Sequence, residues 1–297
     1  MTATGKDEKK DPQEAELRAL RDRIDHVDHQ IHQLLNDRAR LAQGVAEVKE
    51  RYRQEGETPV FYRPEREAQV LRAVMRRNQG PLPDQAVARL FREIMSVCLA
   101  LEQPMRVVFP GPEGTFTQQA AQKHFGQAVH CQAVSGLESA FAEVEQGSAH
   151  YAVVPIETED AGLIRHTLDL FRRFELFICG EVELAPEVVA QAGDRCPRFL
   201  VVGRAAVGPS GEDKTSLLLI CRDEPGVLHD LLSPFQQRGI SLTRLETRSS
   251  GEHDWKMLFY IDLEGHREEP VVSELLGELN SLDIEVKFLG SYPKAVL

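Results

Sequence analysis

The chain has five cysteines in 297 residues (Cys98, Cys131, Cys179, Cys196 and Cys221), and no two of them form a CxxC pair. An odd set without paired spacing supplies no disulfide framework and fits reduced thiols in the cytoplasm. A basic excess is also missing. Acidic residues number 47 against 35 lysines and arginines, for a net charge of −12 and a pI of about 5.4. Nucleic acids and anionic membranes both call for a basic surface, so neither is expected as a partner. A local basic pocket for a small anion stays open. No apolar run is long enough to span a membrane, and the charged residues 1–14 lack the apolar core of a signal peptide. Those residues are expected to form a disordered tail.

What is present begins with one long helical stretch, Leu17 to Val48. Leu17, Leu20, Ile24, Val27, Ile31, Leu34, Leu41, Val45 and Val48 alternate at spacings of three and four. That is a coiled-coil-like seam, too long for a small monomeric bundle, and it implies packing against a second copy. Arg38 interrupts it. Its neighbours one turn away are Leu34, Leu35 and Ala42, and a buried arginine needs a partner, for which a ligand anion would serve. Lys49 falls within roughly 20° of Arg38 around the helix, whereas Arg21 points about 100° away. One helix cannot aim all three at one ligand, but a crossed or antiparallel dimer can, with Arg21 reaching the partner's site. The competing reading of Arg21 and Lys49 is plain flanking charge on a solvated face.

A polar loop, Glu50 to Thr58, follows. Pro64 opens a second helix with Val70, Leu71, Val74 and Met75 inward, ending before Gly80. A third helix carries Val87, Leu90, Ile94, Val97 and Leu101, with Cys98 and Glu102 beside that seam. Residues 15–104 thus read as an all-helical domain. Leu20-Arg21-Asp22-Arg23-Ile24-Asp25, Leu34-Leu35-Asn36-Asp37-Arg38, Val48-Lys49 and Tyr62-Arg63-Pro64-Glu65-Arg66-Glu67 resemble the helical chorismate mutases. The resemblance implies a three-helix, intertwined homodimer that rearranges chorismate to prephenate without nucleophile, metal or cofactor. It implies that Arg21 of the partner chain, Arg38 and Lys49 grip the carboxylates and ether oxygen. Arg66 and Glu67 would hold a carboxylate and a ring hydroxyl. Arg63 and Cys98 would line the substrate, and Glu102 would complete the catalytic set.

Such a reaction is driven by holding a compact conformer and stabilising negative charge on the breaking ether bond, and fixed cations suit that task. Family members often carry Ser and Gln at the positions of Cys98 and Glu102. An ionised Glu102 would repel the developing charge and helps only when protonated. Mutase activity is therefore expected to fall as pH rises, and Glu102→Gln to flatten the fall. An identical pH–rate profile in the variant contradicts this.

From Met105 to about Arg204 the period changes. Arg106–Phe109, Val129–Val134, Tyr151–Ile156 and Leu176–Leu184 read as strands. Helices are expected after Gly111–Thr117, after a Ser135/Glu138 capping box, and over Asp160–Phe174. This alternation implies a parallel α/β layer. The glycine loop alone identifies nothing, since tight turns use the same residues. Gly111 to Thr117, Val153-Val154-Pro155-Ile156-Glu157 and Arg198-Phe199-Leu200-Val201-Val202-Gly203 resemble the prephenate dehydratase domain, which in many bacteria follows this mutase in one protein for phenylalanine synthesis. That domain implies two periplasmic-binding-like lobes with substrate between them. This chain runs from Leu184 to Arg198 in a short stretch, so the second lobe, with its Ser-His-Pro-Gln motif, is missing. Pro197-Arg198-Phe199 stands where the family has Thr-Arg-Phe, and Glu157-Thr158 where it has Glu-Asn. The matched positions lack the donor that a leaving hydroxyl needs. Residues 105–207 are therefore expected to be a degenerate lobe that spaces or couples its neighbours.

After a Gly/Pro/Ser-rich linker, Gly208 to Asp213, the pattern is strand, helix, strand, strand, helix, strand, which is ferredoxin-like. Asp223-Glu224-Pro225-Gly226-Val227-Leu228 and Leu242-Thr243-Arg244-Leu245-Glu246-Thr247-Arg248 resemble the ACT domain that senses phenylalanine. The resemblance implies an effector site at Glu224, Pro225, Gly226, Val227 and Leu228 together with Thr243, Arg244, Leu245 and Glu246, within residues 208–297. Gly226 at a helix start permits close approach of a carboxylate, although a packed turn uses the same residue. His26, His29 and His32 lack an acid or Cys partner set and read as a solvated face, while Trp255 and the phenylalanines read as core. The leading reading is a mutase with a degenerate dehydratase lobe and a phenylalanine-responsive domain. The alternatives are the complete bifunctional enzyme and a non-catalytic regulatory protein.

Overall fold

The computed structural model describes residues 12–53, 61–158, 162–184, 197–249 and 256–297. Residues 1–11, most of the 50–58 loop and Trp255, expected as a tail, a loop and a core side chain, lie outside them. The chain divides into two compact units, Met1–Pro59 and Val60–Leu297. In the first, α1 (Pro12–Arg51) is one helix of 40 residues, about 60 Å long. It extends the expected span at both ends, taking in residues 12–14 of the expected tail and Glu50 and Arg51 of the expected loop. Pro suits the first helical position, and Lys49 and Arg51 suit the negative C-terminal end. No residue of α1 is buried, and on its heptad seam Leu34 is 67% and Leu41 73% exposed.

The second unit opens with α2 (Pro64–Arg77) and α3 (Asp84–Glu102), packed on each other. α2 buries Ala68, Leu71 and Val74 along one face. α3 departs from expectation. Its apolar seam faces outward, with Leu90 58% exposed and Val97 and Leu101 also exposed, while Ala88, Arg92, Ser96 and Cys98 are buried. The small face wins because it permits close approach: a Cβ on Gly126 would lie 2.5 Å from Ser96 Cβ. The boundary between the two compact units falls between α1 and α2.

Next comes an α/β layer. Its elements are β1 (Arg106–Pro110), α4 (Phe116–Phe125), β2 (His130–Val134), α5 (Leu137–Glu145), β3 (Tyr151–Thr158), β4 (Gly162–Leu163), α6 (Arg165–Arg173), β5 (Phe177–Glu183) and β6 (Arg198–Gly203). The sheet order is β2-β1-β3-β6-β5, with β4 beside β3. β2, β1 and β3 pair parallel, and β6 is antiparallel to both β3 and β5. The parallel layer expected is thus corrected to a mixed one, because β6 pairs antiparallel with both β3 and β5. The Ser135/Glu138 capping box is also corrected. Gly136 is the N-cap without a side-chain bond, and Ser135 Oγ pairs instead with Ser139 Oγ at 2.7 Å. The helix expected from Asp160 begins at Arg165.

The last part is β7 (Asp213–Arg222), α7 (Val227–Gln237), β8 (Leu242–Ser249), β9 (Lys256–Glu264), α8 (Pro270–Leu279) and β10 (Glu285–Pro293). Its antiparallel sheet, β10-β7-β9-β8, matches the ferredoxin-like expectation. One face carries Leu217, Leu219, Phe259 and Ile261 into the core with α7 and α8. The other carries Leu218, Ile220, Tyr260, Leu289 and Tyr292 into a core shared with Ile156, Leu168, Phe171, Ile178 and Leu200 of the α/β layer. The expected linker is tied down. Asp213 accepts hydrogen bonds from Ser210 Oγ at 2.6 Å and from the Ser210 and Gly211 amides. Arg72 of α2 donates to Ser210 Oγ at 3.0 Å and to Glu212 O at 2.9 Å.

Candidate functional site

The residues matched to the mutase lie on three helices. On α1 of the first unit, Arg38 and Lys49 are half-buried and Arg21 is exposed. The unbroken helix keeps the angular relation among them. In the second unit, Arg63 is exposed and stands 3.9 Å from Glu65, Arg66 is exposed, Cys98 is buried and Glu102 half-buried. Glu67, its side chain 14% exposed, faces inward. Arg92 Nε donates to Glu67 Oε1 at 3.2 Å, and Arg92 Nη1 to Lys123 O at 2.9 Å. The Tyr62 hydroxyl stands 3.0 Å from His124 Nε2. Sequence reasoning missed Arg92, Tyr62 and His124. The available signal was Arg92 spaced by four from both Ala88 and Ser96, a charge on the small-residue face.

Burial holds the His124 imidazole neutral, and the Arg92 charge adds to the effect, taking its pKa down to about 3. The unfolded chain protonates near pH 6.5, so this ring stabilises the fold fully above that pH. The contribution is lost as pH falls from 6.5 toward 3. For a ring only partly buried, about 1–2 kcal/mol should be gone by pH 5. His124→Gln, which keeps a partner for Tyr62, is expected to flatten urea midpoints between pH 7 and 5. Parallel pH curves for variant and parent contradict this.

The residues matched to the dehydratase are engaged elsewhere. Glu157, at the end of β3, accepts from Arg244 Nη2 at 2.5 Å and lies 3.9 Å from Arg198. Arg198 Nη2 donates to Glu181 Oε2 at 3.1 Å, and Lys214 Nζ to both Glu181 oxygens at 2.7 and 2.8 Å. Burial raises the Glu181 carboxyl, but Lys214 and Arg198 outweigh it and hold the carboxyl below its ordinary value. Phe199 is core. Pro197 O accepts from the Leu184 amide at 3.2 Å, closing β5 onto β6. Thr158 ends β3.

The effector residues separate. Glu224, Pro225 and Val227 line a cleft of about 220 Å³ with Arg222, Asp230 and Ile284. That is slightly below the roughly 300–1,000 Å³ of drug-sized sites and suits an amino acid. Gly226 caps α7 at φ +94°, a conformation that favours glycine, and Leu228 is exposed. Thr243, Arg244, Leu245 and Glu246 sit on edge strand β8, with β9 between it and β7. Arg244 turns to the α/β layer, so within one chain the two segments do not meet.

A chorismate mutase type II family model matches residues 20–103, a prephenate dehydratase model residues 107–191 and an ACT domain model residues 215–281. Fold and sites therefore define a multidomain protein with a mutase-type helical region, a dehydratase-type lobe and an ACT domain. A Pseudomonas aeruginosa protein described as a bifunctional chorismate mutase/prephenate dehydratase is 41% identical over 360 aligned positions, covering 95% of this chain and 99% of its own. The chain belongs to the bifunctional chorismate mutase/prephenate dehydratase family. A prephenate dehydratase structure from Streptococcus mutans shares 31% identity at a TM-score of 0.55, over 64% of this chain and 98% of that one. One from Arthrobacter aurescens in complex with L-Phe shares the fold at 23% identity and a TM-score of 0.55, over 64% and 90%. Since 95% of 297 residues is about 280, about eighty of the 360 positions aligned with the Pseudomonas protein have no residue in this chain.

Proposed function

We propose that this chain is a cytoplasmic chorismate mutase of the phenylalanine branch, with a lobe that has lost dehydration and an ACT domain that takes L-phenylalanine. The observation that carries the reading is the intact set Arg21, Arg38, Lys49, Arg66 and Glu67, inside the segment matching the mutase model. The reaction needs only a held conformer and fixed cations, which that set provides. The loss of dehydration is supported by the antiparallel pairing of β5 with β6, by the roughly eighty missing positions, and by Glu157 and Arg198 being engaged in ion pairs with ACT residues or within the lobe.

A homodimer is supported by the exposed seam of α1 and by Arg21 pointing away from Arg38 and Lys49. A second copy would also let the two effector segments, separate within one chain, meet across the β8 edge. The domain limits we assign are 15–104, 105–207 and 208–297. The second reading, a chain that also dehydrates prephenate, is favoured by the description of the Pseudomonas relative. The test is chorismate consumption above its spontaneous rate, measured with and without phenylalanine. Saturable turnover that phenylalanine alters supports the assignment, and consumption at the spontaneous rate overturns it.

A further inference from the structure

α3 buries one long cationic side chain, Arg92, which is 8% exposed. A buried arginine is tolerated where its donors are met. Here one end of the guanidinium meets Glu67 of α2 and the other the Lys123 carbonyl. That carbonyl is in the last turn of α4, where the helix dipole is negative. α3 is held to α4 at two further points, by the Gln127 amide donating to Glu93 Oε2 at 3.1 Å and by the close approach of Gly126 to Ser96.

The groups facing Glu67 can be named from each element packed around it. Tyr62 precedes α2, Arg92 comes from α3 and His124 from α4. Cys179 and Glu181 belong to β5, and Lys294 and Leu297 to the C-terminal segment; all line one cavity with Glu67. That cavity is about 30 Å³, room for about one water. Lys123 directs its ammonium elsewhere, to Glu183 O at 2.7 Å. Glu181 is already neutralised by Lys214 and Arg198. Among the described residues, Arg92 bonds the Glu67 carboxylate.

We propose that Arg92 is a positioning residue of the mutase site, holding Glu67 ionised and fixed in orientation through a grip whose far end is the C-terminus of α4 in the dehydratase-like lobe. This rests on the mutase reading, in which Glu67 accepts a hydrogen bond from the substrate's ring hydroxyl. A carboxylate accepts that bond; a protonated carboxyl would present a donor. Burial raises the Glu67 carboxyl above its ordinary value, and Arg92, with a smaller contribution from the Tyr62 hydroxyl, offsets only part of that rise. Removing the guanidinium leaves burial less opposed. The proposal also gives the degenerate lobe a task, since the mutase residue is oriented by a helix of that lobe.

The test is chorismate turnover from pH 5 to 9 for the parent chain, Arg92→Gln, Arg92→Lys, Glu67→Gln and the Arg92→Gln/Glu67→Gln double variant, with folding checked by circular dichroism. Arg92→Gln is expected to lower kcat/KM at pH 7 by about tenfold and move the acid limb up by about one pH unit. At alkaline pH its activity should approach that of the parent measured at the same pH. Arg92→Lys keeps the charge but cannot bridge Glu67 and Lys123 O together, so it should leave the acid limb nearly in place with kcat/KM still reduced. The double variant should match Glu67→Gln alone.

An Arg92→Gln enzyme with the parental pH profile, or single losses that multiply in the double variant, overturns the proposal and leaves the mutase reading standing. Should Arg92→Gln not fold, Arg92→Lys decides, because parental kcat/KM there removes any need for the grip. A parent chain without mutase turnover overturns the function and this proposal together.

Discussion

Arg38→Ala is expected to lower kcat/KM for chorismate by about 10²–10³, the usual cost of removing one fixed donor aimed at developing negative charge. Arg38 occupies the seam position between Leu34 and Leu41, where the three-four pattern calls for an apolar residue. A helix keeps a cation on such a line when something anionic meets it, and the mutase reading supplies the substrate carboxylate. Lys49 lies three turns on and within about 20° of it, close enough to serve the same ligand. Alanine favours helix and removes no buried packing from α1, none of whose residues is buried. The loss should therefore appear in turnover while far-UV circular dichroism stays parental. A reduction below about tenfold in a folded variant would take Arg38 out of the site.

Gly290→Ala is expected to destabilise the second unit by about 3 kcal/mol or more. Gly290 lies at φ +151°, and a Cβ there would sit 2.9 Å from the Ile178 amide nitrogen and closer still to the Ile178 carbonyl oxygen. Both atoms are backbone, so no rotamer change relieves the overlap. The strand register of β10 shifts between Phe288 and Gly290, where the ACT sheet crosses β5. Leu289 and Tyr292 on either side belong to the core shared with the α/β layer. Moving β10 away from Ile178 would open that core, and unfilled core volume is costly. Gly277→Ala in α8 is the matched control. Nothing lies within 4 Å of its added Cβ, so a helical glycine there should be neutral or stabilised by about 0.5–1 kcal/mol on replacement. Urea midpoints of the two variants check the contrast, and equal midpoints would contradict it.

Features carried by local period or by backbone punctuation were legible in the sequence. The three-four seam defined α1, Pro64 opened α2, and the strand–helix order of residues 213–293 dictated a ferredoxin-like sheet. Features set by competition between faces were not. α3 has an apolar stripe at Leu90, Val97 and Leu101 and a small-residue face at Ala88 and Ser96. Periodicity ranks the stripe first, whereas close packing against Gly126 buries the small face. The mixed sheet follows from β6 pairing antiparallel with both β3 and β5, which alternation of strands and helices does not encode.

The site divides in the same way. Positions lying in contiguous motifs, such as Arg66-Glu67 and Glu224-Pro225-Gly226, could be named as candidates from the sequence. Partners brought together from distant segments were not: Arg92 with Glu67, His124 with Tyr62, and Arg244 with Glu157 meet across 25, 62 and 87 positions.

The measurement that tests the account most directly is incubation of the whole chain with chorismate at neutral pH, with the products separated by chromatography. The account predicts prephenate accumulating well above the spontaneous rate and no enzymatic phenylpyruvate. Phenylpyruvate formed at a rate proportional to the amount of chain would contradict it, because a lobe whose Glu157 and Arg198 are engaged in ion pairs would then still be expelling water and carbon dioxide from prephenate.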